Sequence, residues 1–176
     1  MADKLAGVLL RGLIAGVIGA WTMDRATWLL QDREPRKALG RERRAWRDGL
    51  DVSHALGHTL TSTAGIGGDR HQPSALGMTT HYLLSIVPAT LYAAMRERDL
   101  RYSEDFGLLY GFLIFLLWDE GVAPAAGISG GPSEYPWQAH GRGLVGHLAL
   151  GIATHAALTA LERDFDRRPI GSHAGA

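Results

Sequence analysis

Long runs without charge, separated by short arginine-rich clusters, are the feature that most constrains this chain. Lys and Arg concentrate at residues 33–47, 96–101 and 163–168, and the stretches between these clusters are nearly free of formal charge. A helix needs about 20 residues to cross a hydrocarbon core of about 30 Å. The pattern therefore predicts a membrane protein of several helices, although a mean hydropathy of −0.03 is by itself typical of a soluble globule.

Four segments have the length and composition of membrane spans. The second of them contains no Asp, Glu, Lys or Arg, and the first is interrupted only by Arg11 and by the neighbouring pair Asp24 and Arg25. Pro88 lies inside a span, where neighbouring helices can satisfy the carbonyl that a proline kink frees. The predicted spans are residues 5–30, 75–95, 106–122 and 143–161.

The predicted fold class is therefore all-α, a polytopic transmembrane bundle forming one integral membrane domain over residues 1–176. We expect about four spans plus one weak helix. The weak helix, residues 51–67, follows a basic connection at residues 31–50; its apolar period is helical, but it is polar for a span. It lies on the membrane surface as an amphipathic helix, enters as a re-entrant helix, or crosses as a fifth span.

The positive-inside rule bears on this choice, because cytoplasmic loops carry an excess of Lys and Arg. With four spans, the largest basic cluster, residues 33–47, lies on the side opposite the other two clusters. With five spans all three clusters share one side. We favour four spans and a partly embedded helix.

Small residues recur at four-residue intervals within the spans. Gly makes up 23 of 176 residues, nearly twice its usual share of about 7%. Because lipid supplies little hydrophobic drive between helices, close backbone approach at small residues has to hold a bundle together. We expect these faces to pack the bundle, or to form a homodimer. The faces are Gly12, Gly16 and Gly19, then Gly107 and Gly111, then Ala149, Ala153 and Ala157.

Three acidic residues fall within or at the edge of the predicted spans: Asp24, Asp119 and Glu120. A charge at membrane depth costs about 2.5–3.5 kcal/mol on insertion scales, so such residues are candidates for a functional site. The alternative is that they end the spans in the headgroup region, where the cost is small.

Histidines are the other polar candidates: His58, His81, His147 and His155. Imidazoles in apolar segments can relay protons alongside Asp24 or Asp119. They can also serve only as interhelical hydrogen-bonding groups. In a further alternative, His58, His81 and His147 ligate a haem or a transition metal inside the bundle; in the favoured interpretation there is no cofactor.

Several classes of protein are excluded. With no Cys, the chain has no disulfide framework and no thiolate metal site. It also has neither a nucleophile elbow nor a P-loop, so we predict no catalytic residues. A net charge of zero gives no overall attraction to nucleic acid. The basic stretch Arg33–Arg47, which includes Trp46, either contacts anionic lipid headgroups or is a solvated loop.

The second half of the chain contains three runs that carry a resemblance. They are THYLLSIVPATLYAAM at 80–95, GLLYGFLIFLLWDEGVAPAAGI at 107–128 and GHLALGIATHAALTALERD at 146–164. They resemble the YagU-like group of small bacterial inner-membrane proteins of unknown function. The matching positions are His81, Ser85, Tyr92, Gly107, Gly111, Pro124, Gly127, Gly146 and His147, with Gly57 and His58 earlier in the chain. The chain departs from that group at Trp118-Asp119-Glu120, where its members tend to be uncharged.

The resemblance implies a multi-pass α-helical protein of the bacterial inner membrane, but no reaction, substrate or cofactor. We therefore expect a non-catalytic inner-membrane protein in lipid, linked to protons or to envelope maintenance through intramembrane His and Asp. The alternatives are a haem- or metal-binding membrane protein and a small accessory subunit of a membrane complex.

Overall fold

The computed structural model describes residues 2–67, 70–98, 105 and 107–167. Over these ranges the chain is helical and contains no strand, which confirms the all-α prediction. Phe106, the predicted first residue of the third span, lies outside the described residues. So do Arg101 and Arg168, one residue of each of the two smaller basic clusters.

Seven α-helices account for most of the described chain. Two short 3-10 turns lie at Arg47–Gly49 and Pro132–Glu134, and a π-helical segment at Phe115–Val122 joins α5 to α6. The helices are α1 Ala2–Gln31, α2 Arg36–Ala45, α3 Val52–Thr63, α4 Ala75–Arg98, α5 Leu108–Ile114, α6 Ala123–Ala125 and α7 Trp137–Arg167.

Helix α1 is the centre of the bundle and packs against both α4 and α7. Gly12 and Gly16 face α4 so closely that a methyl group on either would overlap Thr90 or Ile86. Gly19 faces α7 in the same way, at Thr154. These glycines therefore set the spacing of the two main helix pairs.

The contact between α5 and α7 also depends on glycine. Gly107 and Gly111 lie against the α7 backbone, at the carbonyls of Gly151 and His147 respectively. Gly107 has a φ of 78°, a left-handed conformation that favours glycine, at the start of α5. Ala149, Ala153 and Ala157 are partly buried, and Ala157 packs against the core cluster that includes Val8 and Ala15 of α1. The fully buried stripe of α7 that faces α1 runs through Gly146, Leu150, Thr154 and Leu158.

The long helices alternate in direction. Gly12 lies beside Thr90 and Gly16 beside Ile86, so α1 and α4 are antiparallel. Contacts of Gly19 with Thr154 and of Gly146 with Thr27 make α1 and α7 antiparallel too. We call the end of the bundle that holds the start of α1 the terminal end, and the end that holds α2 and α3 the basic end.

Helix α3 lies beside the first turns of α4 and does not run the length of the bundle. Gly57 contacts Leu76 and Thr80, and His54 contacts Gly77. Because α1 ends and α4 begins at the basic end, the chain between them leaves and returns at the same end. Leu60, in the last turn of α3, and Ile66, three residues after its end, are largely exposed.

Three helical stretches are long and apolar enough to cross a membrane: Asp3–Gln31, Leu108–Ala125 and Trp137–Arg163. They coincide with three of the four predicted spans. The fourth, residues 75–95, forms helix α4 but is not among the three stretches, because Thr79, Thr80 and His81 make its first half polar.

The outer surface is far more apolar than that of a soluble bundle, and the interior combines apolar core residues with polar groups. Large apolar side chains such as Leu9, Leu13, Leu91 and Leu117 point outwards and are about half exposed or more. The interior holds several polar groups that are less than a tenth exposed: Glu42, His54, Thr80, Ser85, Arg96, Ser129, His147 and Thr154. An apolar outer surface, with several polar groups held inside, suits a lipid environment.

The close contact at Gly111 provides a test of this packing. We expect Gly111→Ala to lower the free energy of unfolding in detergent by about 1–3 kcal/mol, because the added methyl group overlaps the carbonyl oxygen of His147. Gly7→Ala is the matched control, since nothing lies within 4 Å of a methyl group at that position. Equal stability of the two variants would contradict the assigned α5–α7 contact.

Candidate functional site

A cavity of about 710 Å³ lies in the basic half of the bundle. Its walls come from α1, α3, α4, α7 and the π-helical segment. Apolar side chains form one part of the lining, and titratable groups form another. The polar lining residues include Glu42, Asp51, Ser53, Thr80, His81, Ser85, Asp119, Arg142 and His147.

The first titratable pair at the cavity joins α1 to α4. The Nε2 atom of His81 lies 2.8 Å from Oδ1 of Asp24, and both side chains are about a quarter exposed. Asp24 stands seven residues before the end of α1, at about 10 Å along the helix from that end. The pair is therefore inside the bundle, and it is also an interhelical hydrogen bond.

The second group lies between the π-helical segment and α7. His147 Nδ1 donates to the Gly143 carbonyl at 2.9 Å and lies 3.6 Å from Asp119. The neighbouring Glu120 bonds His140 at 2.5 Å. A π-helix turns less per residue than an α-helix, so the two consecutive carboxylates both face α7. Such turns are frequent at functional sites.

An ion-paired arginine closes the basic end of the cavity. Arg142 on α7 lies 2.6 Å from Glu34 and 2.5 Å from Glu42, and all three side chains are about a tenth exposed. The arginine thus ties the end of α1 and helix α2 to α7. Arg142 is not among the predicted site residues. In the sequence it appears only as a single arginine at the start of an apolar span.

His155 belongs to a different cluster, at the terminal end. Its Nδ1 atom lies 2.7 Å from Nη1 of Arg96, and arginine can only donate, so this imidazole nitrogen is an unprotonated acceptor. Arg96 also binds Glu162 at 2.7 Å and Thr159 at 2.9 Å. His155 therefore holds a buried arginine in place and takes no part in the cavity.

His54 and His58 occupy different environments although they are one turn apart. His54 is buried; its Nδ1 atom donates to Asp51 at 2.8 Å, and its Nε2 atom accepts from the Ser74 amide at 3.0 Å. His58 instead accepts from Nε of Arg70 at 3.2 Å and does not line the cavity. His58 is the residue predicted from the sequence, but His54 is the more deeply buried of the two.

The three proposed metal or haem ligands lie on three helices. His81 and His147 both line the cavity, whereas His58 does not. Among the residues that the structure describes, no group of three or more His, Cys, Asp or Glu side chains is arranged to hold a metal ion.

The basic connection exposes its cations at the basic end of the bundle. Helix α2 buries Ala38, Glu42 and Ala45 on one face. Arg41 donates to the Ser133 carbonyl, and Arg47 pairs with Glu134 at 3.0 Å. The exposed basic residues are Arg33, Arg36, Lys37, Arg41, Arg43, Arg44 and Arg47.

Comparison with known proteins adds no further evidence. No family model, no curated protein and no solved structure matches the chain. The site is therefore interpreted from its own geometry.

Asp51 at the start of α3 gives a pH-dependent prediction. Burial raises the pKa of this carboxyl, but bonds from the amide and ring of His54 and from Ser53 outweigh burial, so its pKa lies below the ordinary value of 3.8. The ionised carboxylate therefore stabilises the fold above that value, and the stabilisation is lost as pH falls through the lowered pKa.

We expect Asp51→Asn to weaken the loss of thermal stability below about pH 4, since Asn cannot titrate but still caps the helix. Melting temperatures in detergent between pH 6 and pH 3 would measure this. Asp48→Asn is the matched control, because Asp48 is exposed and Asn tolerates its φ of 54°. Identical acid profiles of wild type and Asp51→Asn would contradict the assigned role.

Proposed function

We propose that this chain is a proton-linked integral membrane protein of the bacterial inner membrane, with four spans and α3 partly embedded beside α4. Protons are taken up and released at the interior His–carboxylate groups around the cavity. The bond between His81 and Asp24 at 2.8 Å carries the proposal, because it places an ionisable pair between two helices of an apolar-surfaced bundle.

Two further observations support proton linkage. Histidine is the side chain whose charge ordinarily changes between pH 5 and 8. His147 and Asp119 line the same cavity as His81. A change of charge at either site therefore changes the electrostatic potential at the other. In a low-dielectric interior such a change has large effects on neighbouring groups.

The assignment to the YagU-like group is part of this proposal. It rests on the three runs of the second half and on the helical bundle that they form. Envelope maintenance remains compatible with a proton-linked site.

Proton binding at the cavity can be measured through tryptophan fluorescence. Trp46 and Trp118 line the cavity, so we expect the emission of the protein in nanodiscs to change between pH 5 and 8. In the double variant His81→Ala and His147→Ala this change should be lost. His71→Ala is the matched control, because His71 lies exposed in the connection before α4. An unchanged pH profile in the double variant would refute proton linkage at these histidines.

The four-span topology predicts that the two ends of the bundle lie on opposite sides of the membrane. The chain has no Cys, so single cysteines are unique labels. We expect Lys37→Cys to react with an impermeant maleimide from one side of the membrane, and Arg98→Cys from the other. Asp3→Cys is the internal control and should label with Arg98→Cys. Labelling of all three from the same side would rule out four spans.

A further inference from the structure

The size of the cavity suits a small organic molecule. Its volume of about 710 Å³ falls within the usual range of about 300–1,000 Å³ for ligand sites. Its lining combines apolar side chains with a few titratable ones. A ligand with an apolar body and one polar group would match this lining.

The mouth of the cavity opens on the side of the bundle. Leu83 and Val87 on α4 and Leu117 on the π-helical segment line the cavity and are 50%, 65% and 64% exposed. At the terminal end α4 and α5 meet through the stacked rings of Tyr92 and Tyr110, 4.6 Å apart. Leu83, Val87 and Leu117 are both cavity lining and exposed apolar surface, so this side of the cavity faces the same surroundings as the outer apolar surface.

The charge of the described lining is negative. Arg142 is its one guanidinium, and this group is already paired with Glu34 and Glu42. Asp51 is satisfied by His54 and Ser53. Asp119, by contrast, lines the cavity with His147 at 3.6 Å, beyond hydrogen-bond distance, and the neighbouring Glu120 is already bound to His140. An anion would find no available guanidinium here, whereas a cation would find a carboxylate.

Aromatic side chains add to the attraction for a cation. Trp46 and Trp118 both line the cavity, and indole faces attract organic cations. The apolar wall of Leu84, Ile114 and Leu150 would bury the body of the same molecule. A divalent metal ion fits less well, because the described residues offer no cluster of three ligands.

We propose that the cavity binds a hydrophobic monovalent organic cation, an amine or quaternary ammonium with an apolar body, and that the Asp119 carboxylate is its counter-ion. The ligand enters from the lipid side between α4 and the π-helical segment. This inference shares the Asp119 carboxylate with the proposed proton site, but its test is separate, since cation binding is measured at fixed pH.

Tetraphenylphosphonium is a suitable probe for the full chain in nanodiscs at pH 7.5, with binding measured by calorimetry. We expect saturable binding that weakens at least about tenfold in Asp119→Asn, because a carboxylate close to a cation in a low-dielectric site contributes that much or more. Asp119→Glu should keep binding within about threefold. Asp3→Asn makes the same charge change at the far, terminal end of α1 and should bind as wild type does.

Two further measurements decide the outcome if Asp119→Asn does not fold. Triphenylphosphine oxide, a neutral probe of similar shape, should bind at least about tenfold more weakly than the cation. Val87→Trp, at the exposed mouth, should weaken cation binding without lowering the melting temperature. Equal affinity for the neutral probe, or full cation affinity in folded Asp119→Asn, would overturn the proposal. A pH-dependent fluorescence change that persists unaltered in the double variant His81→Ala and His147→Ala would refute proton linkage and leave cation binding in place.

Discussion

Close approach of helix backbones at glycine is the constraint on which the rest of the bundle depends. In lipid, apolar side chains gain little by leaving their surroundings, so helices have to be held by van der Waals contact and by bonds between polar groups. Gly12 and Gly16 bring α1 onto α4, and Gly111 brings the α5 segment onto α7. The short spacing in turn lets side chains such as Ser85 reach a backbone carbonyl of the next helix, at 2.9 Å from Gly16.

Paired charges at the two ends complete this arrangement. Arg96 binds Glu162 at the terminal end, and Arg142 binds Glu34 and Glu42 at the basic end. A buried charge without a partner is costly, so these arginines favour one relative placement of the helices over others. Residues of both α4 and the π-helical segment line the cavity, whose basic end holds Arg142.

Part of the candidate site is predictable from the sequence. Asp24, His81, Asp119 and His147 are polar residues in apolar segments, and the cost of burying them singled them out. Their partners are far away in sequence: His81 is 57 residues from Asp24. Spacing along one helix cannot show such a pair. For the same reason His155, which looked equivalent to His147, proved to bind Arg96 at the other end.

By itself the sequence determined the helical class, the approximate limits of the apolar helices and the residue types available for chemistry, because hydropathy and helical period are local properties. Only the tertiary structure decided which glycine faces which helix, that α3 lies beside α4 without running the length of the bundle, and that His81, the partner of Asp24, shares one cavity with Asp119 and His147. Those features depend on the packing of distant segments. The long runs without charge therefore indicate a lipid environment for the helices. The few polar residues within these runs acquire their roles only through helix packing.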